Sequence, residues 1–390
     1  MAGRRLDHVD AMRPVKQAGV VSTHVLLFFA AYGSVTAGAA VLLLHVSRDA
    51  FFFVSACMLT YAYVDLNRAG MRRFYWRRFV SVGIPYLCWT VIYYLYTAPT
   101  SHYPNAGQTA WAFVHLLYLG YYQLYFLIVI MQFYVVFPLV LWLLRRTRGH
   151  HGLVIAVAVV VQVLLTIAMH WELLPSGLRG VWAQREMPTY ELYLLGGAVV
   201  AFHLDRFHAW MLRNSRLVIT LTVAAALGAL AVYYIAQYGV TTALGATNDP
   251  FQPSVIAFNV GAIACLYLIG VWLALPERSP RAKAMVRSGS DNAYGVYLTQ
   301  LLFINLLVWL HWERLTTSLT WPVLCLLTLP IVYLSSFALT ALLARTPLAM
   351  PLTGRKQVPW ATLLPRRAPA AEEQLPLTPA MAGAAIDENG

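Results

Sequence analysis

The chain has 390 residues, of which 59% are hydrophobic and only 11% charged, with a mean hydropathy of +0.61. A soluble domain carries about 25% charged residues, so a water-soluble globular enzyme is excluded and a multi-spanning membrane protein is implied. The formal net charge of +12 would also suit a nucleic-acid binder. Basic excess in a membrane protein collects in cytoplasmic loops, and its placement decides between the two.

A basic, polar lead-in over residues 1–17 runs into an apolar stretch, and Pro14 fits the first turn of a helix, where its missing N–H costs nothing. No small-residue cleavage site follows, which argues against a secretory leader. Ten spans are predicted, at 14–33, 47–66, 80–98, 121–144, 152–170, 189–204, 216–237, 254–275, 290–311 and 320–344. The apolar segment 35–46 is either a short re-entrant piece or the outer extension of the second span. No internal repeat supports an inverted-repeat transporter. After Arg345 the composition turns to Pro, Ala and scattered charge. This predicts a membrane domain over 1–345 and a disordered cytoplasmic tail over 346–390.

Of the 28 Lys and Arg, 24 fall at one set of helix ends. Arg179, Arg185 and Arg314 lie in the opposite loops, with Arg48 near a helix end on that side. The split predicts an even number of spans with both termini in the cytoplasm, and it removes nucleic acid as a partner in favour of the lipid bilayer. Cys57, Cys88, Cys265 and Cys325 lie in apolar runs without a CxxC pair. They read as small core residues rather than disulfides or metal ligands, so no metal site is expected.

The common soluble signatures GxxxxGK[ST], GxSxG, HExxH and GxGxxG are missing. What remains is sparse polarity in apolar helices. Arg13 and His24 are eleven residues apart, three helical turns plus about 20°, so they share a face at a separation on the order of 16 Å. If the helix starts at the membrane surface, His24 lies near the middle of a hydrocarbon core about 30 Å thick. Two readings stand for it: an intramembrane functional group, or a core histidine bonded to a neighbouring helix. His45 and Asp49 fall one residue short of the His–Asp spacing of glycerolipid acyltransferases and are set aside. His150 and His151 read as solvated in a basic turn, and His203 and His208 as interfacial.

Arg72, Arg73, Arg77 and Arg78 flank Phe74, Tyr75 and Trp76 in a loop and helix start. Arginine forks bind phosphate and aromatic rings stack on a base, so a polyphosphate ligand with an adenine fits; an anchor on anionic lipid fits as well. The opposite loops at 97–111, 171–191 and 237–254 are neutral and aromatic-rich, which suits a membrane interface or a sugar-like acceptor.

In order along the chain, these elements resemble the acyltransferase-3 family. LDHVDAMRPV with Arg13-x10-His24 is similar to its Arg-x10-His signature. RDAFFFVSACML over 48–59 resembles its second-span motif, with Ala56 in place of Gly. RRFVSVGIPY over 77–86 resembles its Arg-x-x-Arg-I-x-P-Y element, with Ser81 in place of the second Arg. YQLYFLIVIMQFYVVFP over 122–138 and AYGVYLTQ over 293–300 resemble two later spans, with Gln123 and Gln300 where histidine is common.

The resemblance implies an all-α bacterial plasma-membrane O-acyltransferase of about ten spans. Its donor would be a cytoplasmic acyl-CoA such as acetyl-CoA, with no permanently bound cofactor. The acceptor would be a hydroxyl of a glycan, lipid or natural product in the cell envelope. It also implies His24 as general base, Arg13 holding either a donor phosphate or a carboxylate that braces the site, with Asp7 and Asp10 as candidates, CoA phosphates on Arg72, Arg73, Arg77, Arg78 and Ser81, and acceptor contacts at Arg48, Tyr125, Tyr297 and Gln300. The rival reading is a ten-span exporter of a polysaccharide or small molecule on the same scaffold.

Overall fold

The computed structural model describes residues 6–97, 105–178, 182–239 and 251–360, and these are helical with no strand among them. Most of the predicted tail, and parts of the three aromatic loops, lie outside the described residues. Fourteen α-helices follow in chain order among the described residues. They are α1 (Asp7–Phe29), α2 (Val35–Leu44), α3 (Val46–Tyr63), α4 (Arg68–Thr97), α5 (Ala106–Leu119), α6 (Tyr125–Arg146) and α7 (His151–His170). Then come α8 (Glu191–Phe202), α9 (Leu204–Arg213), α10 (Ser215–Gln237), α11 (Ile256–Leu273), α12 (Pro280–Trp309), α13 (Trp321–Leu343) and α14 (Ala349–Thr353).

Helix α1 is the axis of the bundle, packed against α3, α11, α12 and α13. It starts at Asp7, well before Pro14. Asp7 and Asp10 occupy its first turn, where carboxylates suit the positive helix end, and Asp10 N–H donates to Leu6 O at 2.8 Å. Pro14 therefore sits inside the helix rather than at its first turn, at the loss of one backbone hydrogen bond.

The segment 35–46 resolves as the extension of the second span. Helices α2 and α3 meet at His45, whose backbone stays in the right-handed helical region. Helices α3 and α8 pack backbone to backbone: a Cβ on Gly197 would lie 2.2 Å from Phe53 O, so only glycine permits that approach.

Seven helical stretches among the described residues are long and apolar enough to cross a bilayer: 35–63, 68–97, 122–146, 151–170, 215–237, 253–273 and 321–343. The other three predicted spans are helices that miss the criterion for distinct reasons. Helix α1 carries Asp7, Asp10, Arg13 and Lys16, and the first half of α12 is polar. Helix α8 has 12 residues, about 18 Å, against a hydrocarbon core of about 30 Å.

The bundle is apolar outside and carries buried polar side chains within its apolar core. Leu139, Trp142, Leu153, Leu164, Leu221, Leu326 and Leu334 are exposed, whereas Thr60, Thr90, Gln162, Asn259, Thr299, Thr328 and Ser336 are buried. That distribution suits a lipid environment, where helices associate through small and polar residues rather than through hydrophobic burial.

Two expectations change. The predicted tail begins too early, because Ala349–Thr353 is helical and packs on α4, α12 and α13. Trp89 Nε1 donates to Leu352 O at 2.9 Å, and Val358 N to Ala344 O at 2.8 Å, so packed structure runs to Trp360. His151 is not solvated but buried, with Nε2 2.7 Å from Leu144 O and Nδ1 2.7 Å from His203 Nε2.

Candidate functional site

Among the described residues, one cavity lies around His24 and another around Arg13. The His24 cavity, of about 320 Å³, is bordered by His24 and Thr23 of α1, by His45, Arg48 and Phe51 at the α2–α3 junction, and by Tyr122, Gln123, Tyr125 and Phe126. Gln184, Arg185 and Tyr297 complete it. The Arg13 cavity, of about 380 Å³, is bordered by Arg13, Lys16, Arg78 and Arg355, with Asp291 among the cations and Ser55, Ser81, Ser290 and Tyr294 as hydroxyls.

Phe51 and Phe126 border both cavities and form the partition between them. Tyr297 joins them, its ring centroid 5.8 Å from that of Phe51 and 5.7 Å from that of Phe126. The Tyr297 hydroxyl donates to Gln123 O, which locks the ring in place. On the Arg13 side, Lys16 Nζ sits 3.2 Å from the centre of the Phe51 ring, a cation–π contact that holds a buried ammonium at the partition.

A strained turn presents Tyr122 to His24. Gly120 has φ +75°, and a Cβ there would lie 2.5 Å from Tyr125 N, so the chain can turn this tightly only with glycine. Two residues on, Tyr122 itself has φ +33°, uncommon for a side-chain-bearing residue. The result is a Tyr122 ring edge-on to His24 at a centroid distance of 5.6 Å.

His45 shares this cavity. Its Nδ1 lies 2.7 Å from Val41 O, and a carbonyl only accepts, so Nδ1 carries the proton and Nε2 is the free acceptor. Arg48 is ion-paired with Asp49 at 3.1 Å and lies over the rings of Tyr190 and Phe251. Asn259 Nδ2 donates to Asp49 Oδ2 at 2.8 Å and so fixes the carboxylate that fixes the arginine. Arg185 donates to Leu119 O and reaches over Tyr125.

Of the residues singled out in the sequence, His24, Arg48, Tyr125 and Tyr297 are brought together in one cavity, and Arg13, Arg78 and Ser81 in the other. Arg13 and His24 share a helix face but open into different cavities. Arg13 is bridged to Asp10, one of its two candidate carboxylate partners, at 3.2 Å.

Arg72, Arg73 and Arg77 border neither cavity and are exposed. The reason is helical phase. Helix α4 begins at Arg68, so these residues are on a helix rather than in a loop and stand about 100–140° around the axis from Arg78. Phe74, one turn before Arg78, is buried on the same inward face, where Arg78 is half-buried. Ser81 borders the cavity but its hydroxyl turns back to Arg78 O at 3.1 Å. Gln300 borders neither cavity.

The Arg13 cavity carries donors without partners. Arg78 Nε, Ser290 Oγ and Tyr294 Oη are buried and make no hydrogen bond within the protein. Buried donors are otherwise paired as a rule, and these three leave the cavity able to meet acceptor oxygens.

Lys16, His45, Arg185 and Arg355 escape the sequence reading. Lys16 follows Arg13 by one helical turn and His45 precedes Arg48 by one, and that spacing is the signal that would have placed them. No local signal exists for Arg355, which lies beyond the last span and reaches the cavity by the α14 fold-back; it donates to Asp291 O at 2.6 Å.

The family's sequence model for the acyltransferase domain matches residues 8–337, nearly the whole chain. The chain belongs to the acyltransferase-3 family. No curated protein and no solved structure matches it. In this acyltransferase-3 protein, then, the Arg-x10-His signature spans a partition, with its arginine on one side and its histidine on the other.

Proposed function

We propose that this membrane acyltransferase is an O-acyltransferase of the plasma membrane that takes its acyl group from a cytoplasmic acyl-CoA and passes it to a hydroxyl acceptor reaching the opposite side. The observation that carries this reading is the pair of cavities of opposite chemistry meeting at one aromatic partition. Arg13, Lys16, Arg78 and Arg355, with their orphaned neighbours, suit the phosphates and amides of CoA. The charge distribution supports a reading in which this cavity faces the cytoplasm, with both termini there and ten spans crossing the bilayer.

The thioester would then be delivered past Phe51 and Phe126 to His24. The acceptor hydroxyl attacks the thioester carbonyl while His24 takes the hydroxyl proton. The new C–O bond forms, the C–S bond breaks, and the proton passes from His24 to the departing thiolate. Neutral imidazole suits this task because its ordinary pKa lies near neutrality. Arg48 and Tyr125 stand on the acceptor side, where an aromatic wall with a few polar groups suits a sugar, lipid headgroup or natural product.

The test is His24→Ala. A folded, inserted variant loses acyl transfer by about 10²–10⁴-fold while still binding CoA. Near-native turnover in that variant removes His24 from the chemistry. Substrate export that survives the substitution without any CoA release favours the exporter reading.

A further inference from the structure

Gln300 lies on α12 one turn beyond Tyr297, is fully buried, and its side chain lies against His24 of α1. Helices α1 and α12 pack along their length, so the contact is between two fixed elements. Both polar atoms of the Gln300 amide are buried and make no hydrogen bond of full geometry; the same is true of His24 Nδ1. Two orphaned polar groups side by side in an apolar interior are each other's natural partners. A small turn about the amide's terminal torsion, which is soft, completes the bond.

The direction of that bond matters. If the amide N–H₂ donates, His24 Nδ1 must accept, which puts the proton on Nε2 and leaves the cavity side without a lone pair. If the amide oxygen accepts, Nδ1 carries the proton and Nε2 faces the cavity as an acceptor. His45 in the same cavity has its Nδ1 fixed by a carbonyl in this second way.

We propose that Gln300 is a positioning residue whose side-chain oxygen accepts the His24 Nδ1 proton, holding the imidazole in the tautomer that presents Nε2 to the acceptor hydroxyl. This builds on His24 as the general base. It replaces the expectation of Gln300 as an acceptor contact, since Gln300 reaches neither cavity. The logic is that of any base oriented by a third group: the wrong tautomer leaves the geometry intact and removes the acceptor lone pair.

The experiment is nitrogen NMR on histidine-labelled protein in detergent at neutral pH, with the His24 signal assigned by its loss in His24→Ala. The native protein shows His24 protonated at Nδ1. Gln300→Glu keeps an accepting oxygen and the same tautomer. Gln300→Met preserves length and packing but cannot accept, so it shifts His24 toward the Nε2-protonated form. It also lowers kcat by about 10–100-fold, the usual loss when the partner that orients a histidine is removed, with KM for acyl-CoA unchanged. Native His24 protonated at Nε2, or a Gln300→Met spectrum identical to native, overturns the proposal. The tautomer is read without turnover, so a shifted Gln300→Met spectrum beside an active His24→Ala enzyme would sink the general-base reading alone.

Discussion

Phe51 and Phe126 meet edge to face with ring centroids 4.1 Å apart, and each borders both cavities. Nothing else in the described structure stands so squarely between the cationic chamber and His24. Under the proposed function, their contact would keep the acceptor side from wetting the donor side until a donor parts them. Excluding water matters because a thioester beside a general base is open to hydrolysis. Phe126→Leu is expected to loosen the partition without emptying it. Release of free CoA in the absence of acceptor, followed with a thiol reagent, should rise severalfold over the native protein. An unchanged acceptor-free rate would show that the partition is structural only.

Arg78 and Arg77 are neighbours in sequence and opposites in the fold. Arg78 opens into the Arg13 cavity with an unsatisfied Nε, and Arg77 is exposed. A hydrogen bond to a charged partner contributes about 1.5–3 kcal/mol, so Arg78→Ala should weaken CoA binding roughly 10–100-fold. Arg77→Ala should leave it within a factor of about two. Titration calorimetry of CoA into purified protein measures both. Equal losses would return the site to the helix surface.

His8 lies ahead of the first predicted span, with His208 5.4 Å away and Tyr267 5.2 Å away, ring to ring. Burial, and then His208, hold its pKa below the ordinary 6.5, with Asp7 and Asp10 pulling weakly the other way. Because the folded pKa is depressed, the unfolded chain takes up a proton that the folded chain resists. Stability is therefore lost as pH falls through 6.5 and is unaffected well above it. The melting temperature in detergent should drop between pH 7.5 and 5.5, and His8→Asn should flatten part of that drop. A variant with the native pH dependence would remove His8 as a contributor.

The all-helical membrane class was legible from composition, and the spans from apolar runs, because both depend on sums over many residues. The Arg13-x10-His24 face was legible because helical phase is set by local geometry. Which arginine of 68–78 turns inward was not, because it depends on where α4 begins. That helix starts twelve residues before its apolar run, and Phe74, not an arginine, sets its phase. The role of His45 was hidden for a different reason. The junction at His45 is continuous helix, so a residue that reads as the end of an apolar segment lies in the middle of a long rod beside α1. The partition itself was beyond reach, since it joins α3, α6 and α12 across long stretches of chain.

The fold-back after the last span has a consequence for how the protein is made. Arg355 closes the Arg13 cavity and is anchored on α12 at Asp291. The short helix α14 that delivers it rests on Trp89 of α4. The earlier helices can insert one by one as the ribosome produces them, but the Arg13 cavity lacks a wall until this later segment emerges and docks. Ribosomes that stall after α13 would thus leave an inserted bundle whose Arg13 cavity is unfinished, and completion of that cavity would await the segment after α13.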